Sequence, residues 1–181
     1  MRITGGIVKG HRLKVLRGGL VRPTTDMVRK ALFSILETTA SDWSRTLDLY
    51  AGSGALGIEA LSRGADWGDF VDQEPKCCAI IKDNLTKTGL MEKAHVYCCN
   101  VTKALTFLNT KYDVIFMDPP YSDPSAGNLL HKLAMSNLVG TGSLIAVCHS
   151  RRILLKDSYD SLQLIKERHY GDTYISIYQK E

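Results

Sequence analysis

The stretch Asp118-Pro119-Pro120-Tyr121 carries the strongest chemical signal in this 181-residue chain. It follows the apolar run Tyr112-Asp113-Val114-Ile115-Phe116-Met117, which reads as a buried strand. Two successive prolines cannot donate backbone hydrogen bonds and hold φ near about −65°, so the chain leaves the strand stiff and extended. The corner offers acceptors: the Asp118 carboxylate and the carbonyl before the second proline, with Tyr121 adding a flat ring. A planar group with two N–H donors fits it, and the exocyclic amino group of a nucleobase is one. That nitrogen's lone pair is delocalised into the ring, so it is a poor nucleophile until acceptors hold it. Taken alone, the tetrapeptide reads equally well as a proline-rich turn with a capping Asp.

A second signal lies upstream, in Leu47-Asp48-Leu49-Tyr50-Ala51-Gly52-Ser53-Gly54-Ala55-Leu56-Gly57. Gly52, Gly54 and Gly57 satisfy G-x-G-x-x-G, and Asp72 follows Gly52 by twenty residues. Glycines there allow a tight turn and close ligand approach, the next helix N-terminus favours a negative group, and an acid at the second strand end can bind ribose hydroxyls. The pattern specifies an adenosine-type cofactor without saying which, and a purely structural turn is the plain alternative. Asp48 on the first strand adds a further acid. Glu74 reads as a surface acid. Asn100 is placed either to read an adenine edge or to cap the helix that starts at Val101.

These residues must be carried by an alternating fold. Strands are expected near 46–50, 68–72, 94–98, 112–117 and 142–148, with helices near 55–63, 75–88, 102–109 and 126–137 between them, the pattern of an α/β domain with a parallel sheet. Arg22-Pro23-Thr24-Thr25-Asp26 makes a helix start for the apolar face of Val28, Ala31, Leu32, Ile35 and Leu36. Leu162 to His169 and Thr173 to Tyr178, separated by Tyr170-Gly171-Asp172, read as an antiparallel hairpin at the sheet edge. In a doubly wound sheet the carboxyl ends of the strands border one crevice, so Gly52, Asp72, Asn100 and Asp118 converge there.

Bulk properties narrow the class. The chain is 44% hydrophobic, enough for one sizeable core. No run approaches a membrane span, and Met1-Arg2-Ile3-Thr4-Gly5-Gly6 is not a signal peptide, so a cytoplasmic protein is expected. Five cysteines (Cys77, Cys78, Cys98, Cys99, Cys148) lack C-x-x-C spacing, and neither a disulfide framework nor a metal site is expected. The net charge is only +4, yet Arg2, Lys9, Arg12, Lys14, Arg17 and Arg22 all precede the first acid, Asp26. A basic arm on a nearly neutral body suits a phosphate backbone. Interspersed Ile3, Ile7, Val8, Leu13, Val15 and Leu16 make residues 1–22 read as a short β-hairpin extension, with residues 23–181 as the main domain.

Asp48 to Gly54 as D-x-x-x-G-x-G, together with Asp118-Pro119-Pro120-Tyr121, resembles the S-adenosylmethionine-dependent amino-methyltransferases. Arg2-Ile3-Thr4-Gly5-Gly6, Lys9-Gly10, Arg22-Pro23-Thr24-Thr25-Asp26, Ala31-Leu32-Phe33 and the block Ala51 to Ala65 resemble, more narrowly, the bacterial 16S ribosomal RNA guanine-N2 methyltransferase family (RsmD), almost end to end through Tyr170-Gly171-Asp172-Thr173. His11 stands where that family commonly has arginine, and Asp72 where glutamate is frequent. The segment Cys148-His149-Ser150-Arg151-Arg152 matches no family block. The resemblance implies a Rossmann-like class I methyltransferase fold and S-adenosylmethionine held by Thr24, Asp26, Asp48, Tyr50, Ala51, Gly52, Ser53, Gly54, Asp72, Gln73, Asn100, Val101 and Asp118. It implies a catalytic corner of Asp118, Pro119, Pro120 and Tyr121, and 16S ribosomal RNA held by Arg2, Lys9, Arg12, Lys14, Arg17 and Arg22. A small-subunit particle is the expected setting and a monomer the expected state. A DNA adenine or cytosine amino-methyltransferase is the nearest alternative. A nicotinamide-dependent dehydrogenase would explain the glycines and Asp72 alone, and a non-catalytic RNA-binding assembly factor would explain the arm.

Overall fold

The structure is a computed structural model that describes residues 1–16, 24–120 and 123–181. Its elements run α1 (Asp26–Thr39), β1 (Arg45–Leu49), α2 (Ala55–Ser62), β2 (Trp67–Asp72), α3 (Pro75–Lys87), β3 (Ala94–Cys98), α4 (Val101–Phe107), β4 (Tyr112–Met117), α5 (Ala126–Ala134), β5 (Val139–Ser150), β6 (Ser158–Tyr159), β7 (Leu162–Tyr170) and β8 (Thr173–Lys180). The eight strands form one sheet in the order β3-β2-β1-β4-β5-β8-β7-β6. Strands β1 to β5 pair in parallel, and β8, β7 and β6 continue antiparallel. The expected α/β sheet with its C-terminal hairpin is therefore the observed one.

Strand alternation divides the core between two faces. Val114, Phe116, Leu144, Ala146 and Ile177 pack with Leu32, Phe33 and Ile58 on the side of α1 and α2. Leu47, Ile115, Val147 and Tyr178 pack with Ala104, Leu130 and Leu133 on the side of α4 and α5. Helix α1 starts as its sequence asks: the Thr25 hydroxyl accepts from Val28 N (3.3 Å) and Asp26 stands in the first turn, where a negative charge suits the helix dipole. β5 begins three residues before the expected 142. Gly140 and Gly142 fall inside it, where the β4–β5 register shifts between Tyr112 and Val114, and such a bulge admits glycine inside a strand.

The N-terminal segment pairs less than a hairpin would. Its ladder is the isolated bridge Arg2–Arg12, flanked by Ile3 N to His11 O (3.0 Å) and Leu13 N to Met1 O (3.1 Å). Gly10 N closes the turn onto Ile3 O (2.8 Å), while other donors turn to the body: Thr4 N gives to both Glu59 oxygens, Ile7 N to Ser62 O (2.8 Å) and Val8 N to Ser62 Oγ (3.1 Å). Ile3, Val8 and Leu13 are buried in the α1/α2 core. Beneath this segment lies a buried ion cluster. Arg29 is fully buried, with Nε 3.7 Å from Glu59 Oε2 and Nη2 2.8 Å from Asp26 Oδ1. It also donates to the carbonyls of Thr24 (3.2 Å) and Arg2. Arg63 joins Glu59 (3.0 Å) to Glu37 (2.6 Å). α1, α2 and the N-terminal segment thus share one set of charges.

Candidate active site

Between β1 and β4 the strand order reverses, and there the carboxyl ends open onto a pocket of about 530 Å3, a size suited to a cofactor. β1 is followed by Tyr50, held at φ +60°, a left-handed conformation uncommon for such a residue. The chain turns through Ala51, Gly52 and Ser53 into α2. Gly54 caps α2 at φ +77°, and a side chain there would press on Ile58 and Ile81 at 3.2 Å. Gly57 is required by packing, since a Cβ would fall 2.3 Å from the Phe70 ring. The glycine motif therefore shapes both the turn and the seat of α2 on β2.

One amide in the first turn of α2 is already answered from within the chain. Asp48 Oδ2 accepts from Gly57 N at 2.8 Å and is itself buried. Burial raises the Asp48 carboxyl well above the usual range, Gly57 opposes this, and Asp118 and Asp72 add to it. Asp72 accepts from Gly52 N (2.8 Å) with one oxygen and from Glu74 N (2.9 Å) with the other. Each oxygen retains a lone pair for a ribose hydroxyl. Glu74 caps α3 and also lines the pocket. Burial pushes the neighbouring Cys77 thiol up to about 11, with Asp72 and Glu74 adding to it, so a ligand meets a neutral thiol.

Asp118 sits where β4 ends, partly exposed to the pocket, and its Oδ2 accepts from Thr24 Oγ1. Burial pushes its carboxyl up to about 6, and the Thr24 hydrogen bond pulls it back. Tyr50 reaches across to Ser125: burial raises its phenol, the Ser125 hydrogen bond lowers it, and Asp123 raises it. Asn100 caps α4, its Oδ1 accepting from Lys103 N (2.8 Å), and also lines the pocket.

Of the residues singled out in the sequence, Thr24, Asp48, Tyr50, Ala51, Gly52, Ser53, Asp72, Gln73, Asn100, Val101, Asp118 and Pro120 line this pocket. Gly54 instead forms the helix cap, Asp26 is turned to Arg29, and Pro119 is buried. Tyr121, Arg17 and Arg22 lie outside the described residues. Arg2, Lys9, Arg12 and Lys14 are exposed, and Lys14 pairs with Asp83 at 2.6 Å. Met1, Asp123 and Ser125 also line the pocket. No sequence motif marked them. His149 is buried, with Nδ1 3.1 Å from Ser150 O and Nε2 2.9 Å from Ser176 Oγ, so it is a structural histidine whose burial lowers its pKa.

Charge decides which cofactor the pocket fits. Asp48, Asp72, Glu74, Asp118 and Asp123 line it, with no Lys or Arg among the described lining residues. Such a wall disfavours a pyrophosphate and favours a cation. A sulfonium-bearing adenosine carries charge of the sign that suits it.

A family model described as conserved hypothetical protein 95 matches residues 1–179. The putative rRNA methyltransferase YlbH of Bacillus subtilis is 36% identical over 99% of both chains. Ribosomal RNA small subunit methyltransferase D of Escherichia coli K12 is 31% identical over 100% of this chain and 90% of its own. Among solved structures, the putative methyltransferase yhhF from Escherichia coli superposes with a TM-score of 0.88 at 29% identity, covering 100% of this chain and 98% of the other. At 14% identity and a TM-score of 0.66, over 88% of this chain and 94% of the other, the fold matches an RNA methyltransferase from Salinibacter ruber solved with S-adenosyl-L-homocysteine.

Proposed function

This chain belongs to the conserved hypothetical protein 95 family, the RsmD methyltransferases, and we propose that it methylates the exocyclic N2 of a guanine in small-subunit ribosomal RNA. It is an S-adenosylmethionine-dependent ribosomal RNA methyltransferase. The observation that carries the amino-group acceptor is the position of Asp118, at the end of β4, open to the pocket and held by Thr24.

Bound S-adenosylmethionine supplies an electrophilic methyl on its sulfonium, so the protein chiefly aligns donor and acceptor. Asp72 would hold the ribose, Asn100 and Val101 the adenine side, and Asp48 with the Thr24 loop the methionine end. A guanine splayed from its stack would place its amino group against Asp118 and the Pro119 carbonyl. Acceptance of those N–H bonds draws the nitrogen lone pair out of conjugation and stabilises the positive charge that grows as carbon bonds to nitrogen. Asp118, ionised above pH about 6, is the base that receives the released proton. Arg2, Lys9, Arg12 and Lys14 would hold RNA phosphates. We place this reaction in the cytoplasm, carried out by a monomer on a small-subunit particle or assembly intermediate.

The test is methyl transfer from labelled S-adenosylmethionine to 16S ribosomal RNA, free and in small-subunit particles, followed by nucleoside analysis. Label in N2-methylguanosine is the expected outcome. Label on adenine or cytosine, or transfer to DNA alone, would overturn the guanine assignment.

A further inference from the structure

We propose that the carboxyl-edge surface formed by Arg151, Arg152, His169 and Tyr174 is a second RNA-contact surface, which holds the nucleotides on the side of the pocket away from the N-terminal segment. It rests on the methyltransferase function given above and extends it to the path of the substrate.

Sheet register puts this surface at the same carboxyl edge as the catalytic corner, with the His169 and Tyr174 side chains on the opposite face of the sheet from Asp118, so RNA would pass around that edge. Met117 pairs with Val147, so Asp118 stands level with Cys148. In the next two strands His149 pairs with Tyr174 and Tyr174 with His169. With strands about 4.8 Å apart, three spacings put His169 roughly 14 Å across the sheet from β4. The N-terminal segment lies over the other half, where Lys14 binds Asn84 and Asp83 of α3. The pocket thus has a basic flank at α3 and a second flank at β5, β8 and β7.

The chemistry of that second flank suits single-stranded RNA. His169 and Tyr174 are stacked, with ring centroids 5.6 Å apart and planes 26° apart, and Tyr174 also meets His149 at 5.7 Å. His169 is exposed and Tyr174 half-buried, so π-surface is open to a base. Arg151 and Arg152 are exposed, and among the described residues neither guanidinium has an ion-pair or hydrogen-bond partner. The acids nearby are Asp172, whose carbonyl accepts from Arg151 N (3.2 Å), and Glu167, whose carboxylate accepts from Ser176 Oγ (2.8 Å). Arg168 and Lys166 on β7 offset them. His149, bonded to Ser150 O and Ser176 Oγ, anchors the end of β5 from which the arginine turn departs.

The experiment compares the full-length wild type with Arg151→Ala/Arg152→Ala, with His169→Ala, and with the charge-keeping Arg151→Lys/Arg152→Lys. Binding of transcribed 16S ribosomal RNA is titrated over a salt series, S-adenosylmethionine affinity is measured alongside, and ultraviolet crosslinks to RNA are mapped by mass spectrometry. The double alanine variant is expected to lower the slope of log affinity against log salt by about 1.4 to 2. His169→Ala is expected to weaken RNA binding roughly 5- to 100-fold. Cofactor affinity stays unchanged, the lysine variant recovers the salt slope, and crosslinks fall in both 1–16 and 151–174. Unchanged RNA affinity and salt slope, with crosslinks confined to 1–16, would overturn this surface. RNA binding is read whether or not methyl is transferred, so a failure of the guanine-N2 activity remains distinguishable from a failure of this surface.

Discussion

In the proposed reaction Asp118 is the residue on which activity turns. With its carboxylate as the proposed acceptor for an amino group, Asp118→Ala should lower methyl transfer roughly 100- to 1000-fold while S-adenosylmethionine affinity, measured by calorimetry, stays within a few-fold. The same group sets a pH dependence. Burial pushes its pKa up to about 6, so below that value it carries a proton and accepts poorly. The pH profile of kcat/KM should therefore fall toward acid with a limb near pH 6. Thr24 donates to the carboxylate and lowers its pKa, so Thr24→Val should move that limb to higher pH. A limb that stays put would remove Thr24 from this role. The aspartate's identity as a chemical residue was legible in the sequence, because the following prolines and strand position advertise it. Its partner was not: Thr24 lies 94 residues away, and its hydroxyl had been assigned to the cofactor only through resemblance.

At the scale of elements, the N-terminal segment and two helices are tied by a buried charge. Arg29 touches Asp26, Glu59, Thr24 O and Arg2 O, and its loss leaves Glu59 short of one countercharge in the core. Arg29→Met should cost about 3–5 kcal/mol in urea unfolding. The periodicity of α1 gave no sign of this, since Arg29 sits beside the apolar positions and reads as a solvated cation. The seat of α2 is the second such case. A methyl at Gly57 must displace the Phe70 ring from 2.3 Å, so Gly57→Ala should destabilise by about 1–3 kcal/mol and weaken cofactor binding by shifting the Gly52 turn. Here the sequence did mark the glycine, by its place in G-x-G-x-x-G, and the structure supplied the neighbour that demands it.

For the whole molecule, the pocket joins the carboxyl ends of several strands, so a ligand filling it adds links between them. S-adenosylmethionine at a hundred times its Kd should stabilise the fold by about 2.7 kcal/mol, a rise in Tm of roughly 5–10 °C for a chain of this length. NADH should leave Tm unchanged, because the acidic lining repels a pyrophosphate. The alternation of strands and helices, the terminal hairpin and the convergence of Gly52, Asp72, Asn100 and Asp118 were legible in the sequence alone. They depend on local period and on the handed, ordered winding of a parallel sheet, which act along the chain. What only the tertiary structure decided is non-local: that Asp48 answers the opening of α2, that Asp26 turns to Arg29 rather than to the pocket, that the N-terminal segment bonds to α2 as well as to itself, and that five acids gather in the described lining without a Lys or Arg. Each depends on which side chains meet across tens of residues, and periodicity carries no record of such meetings.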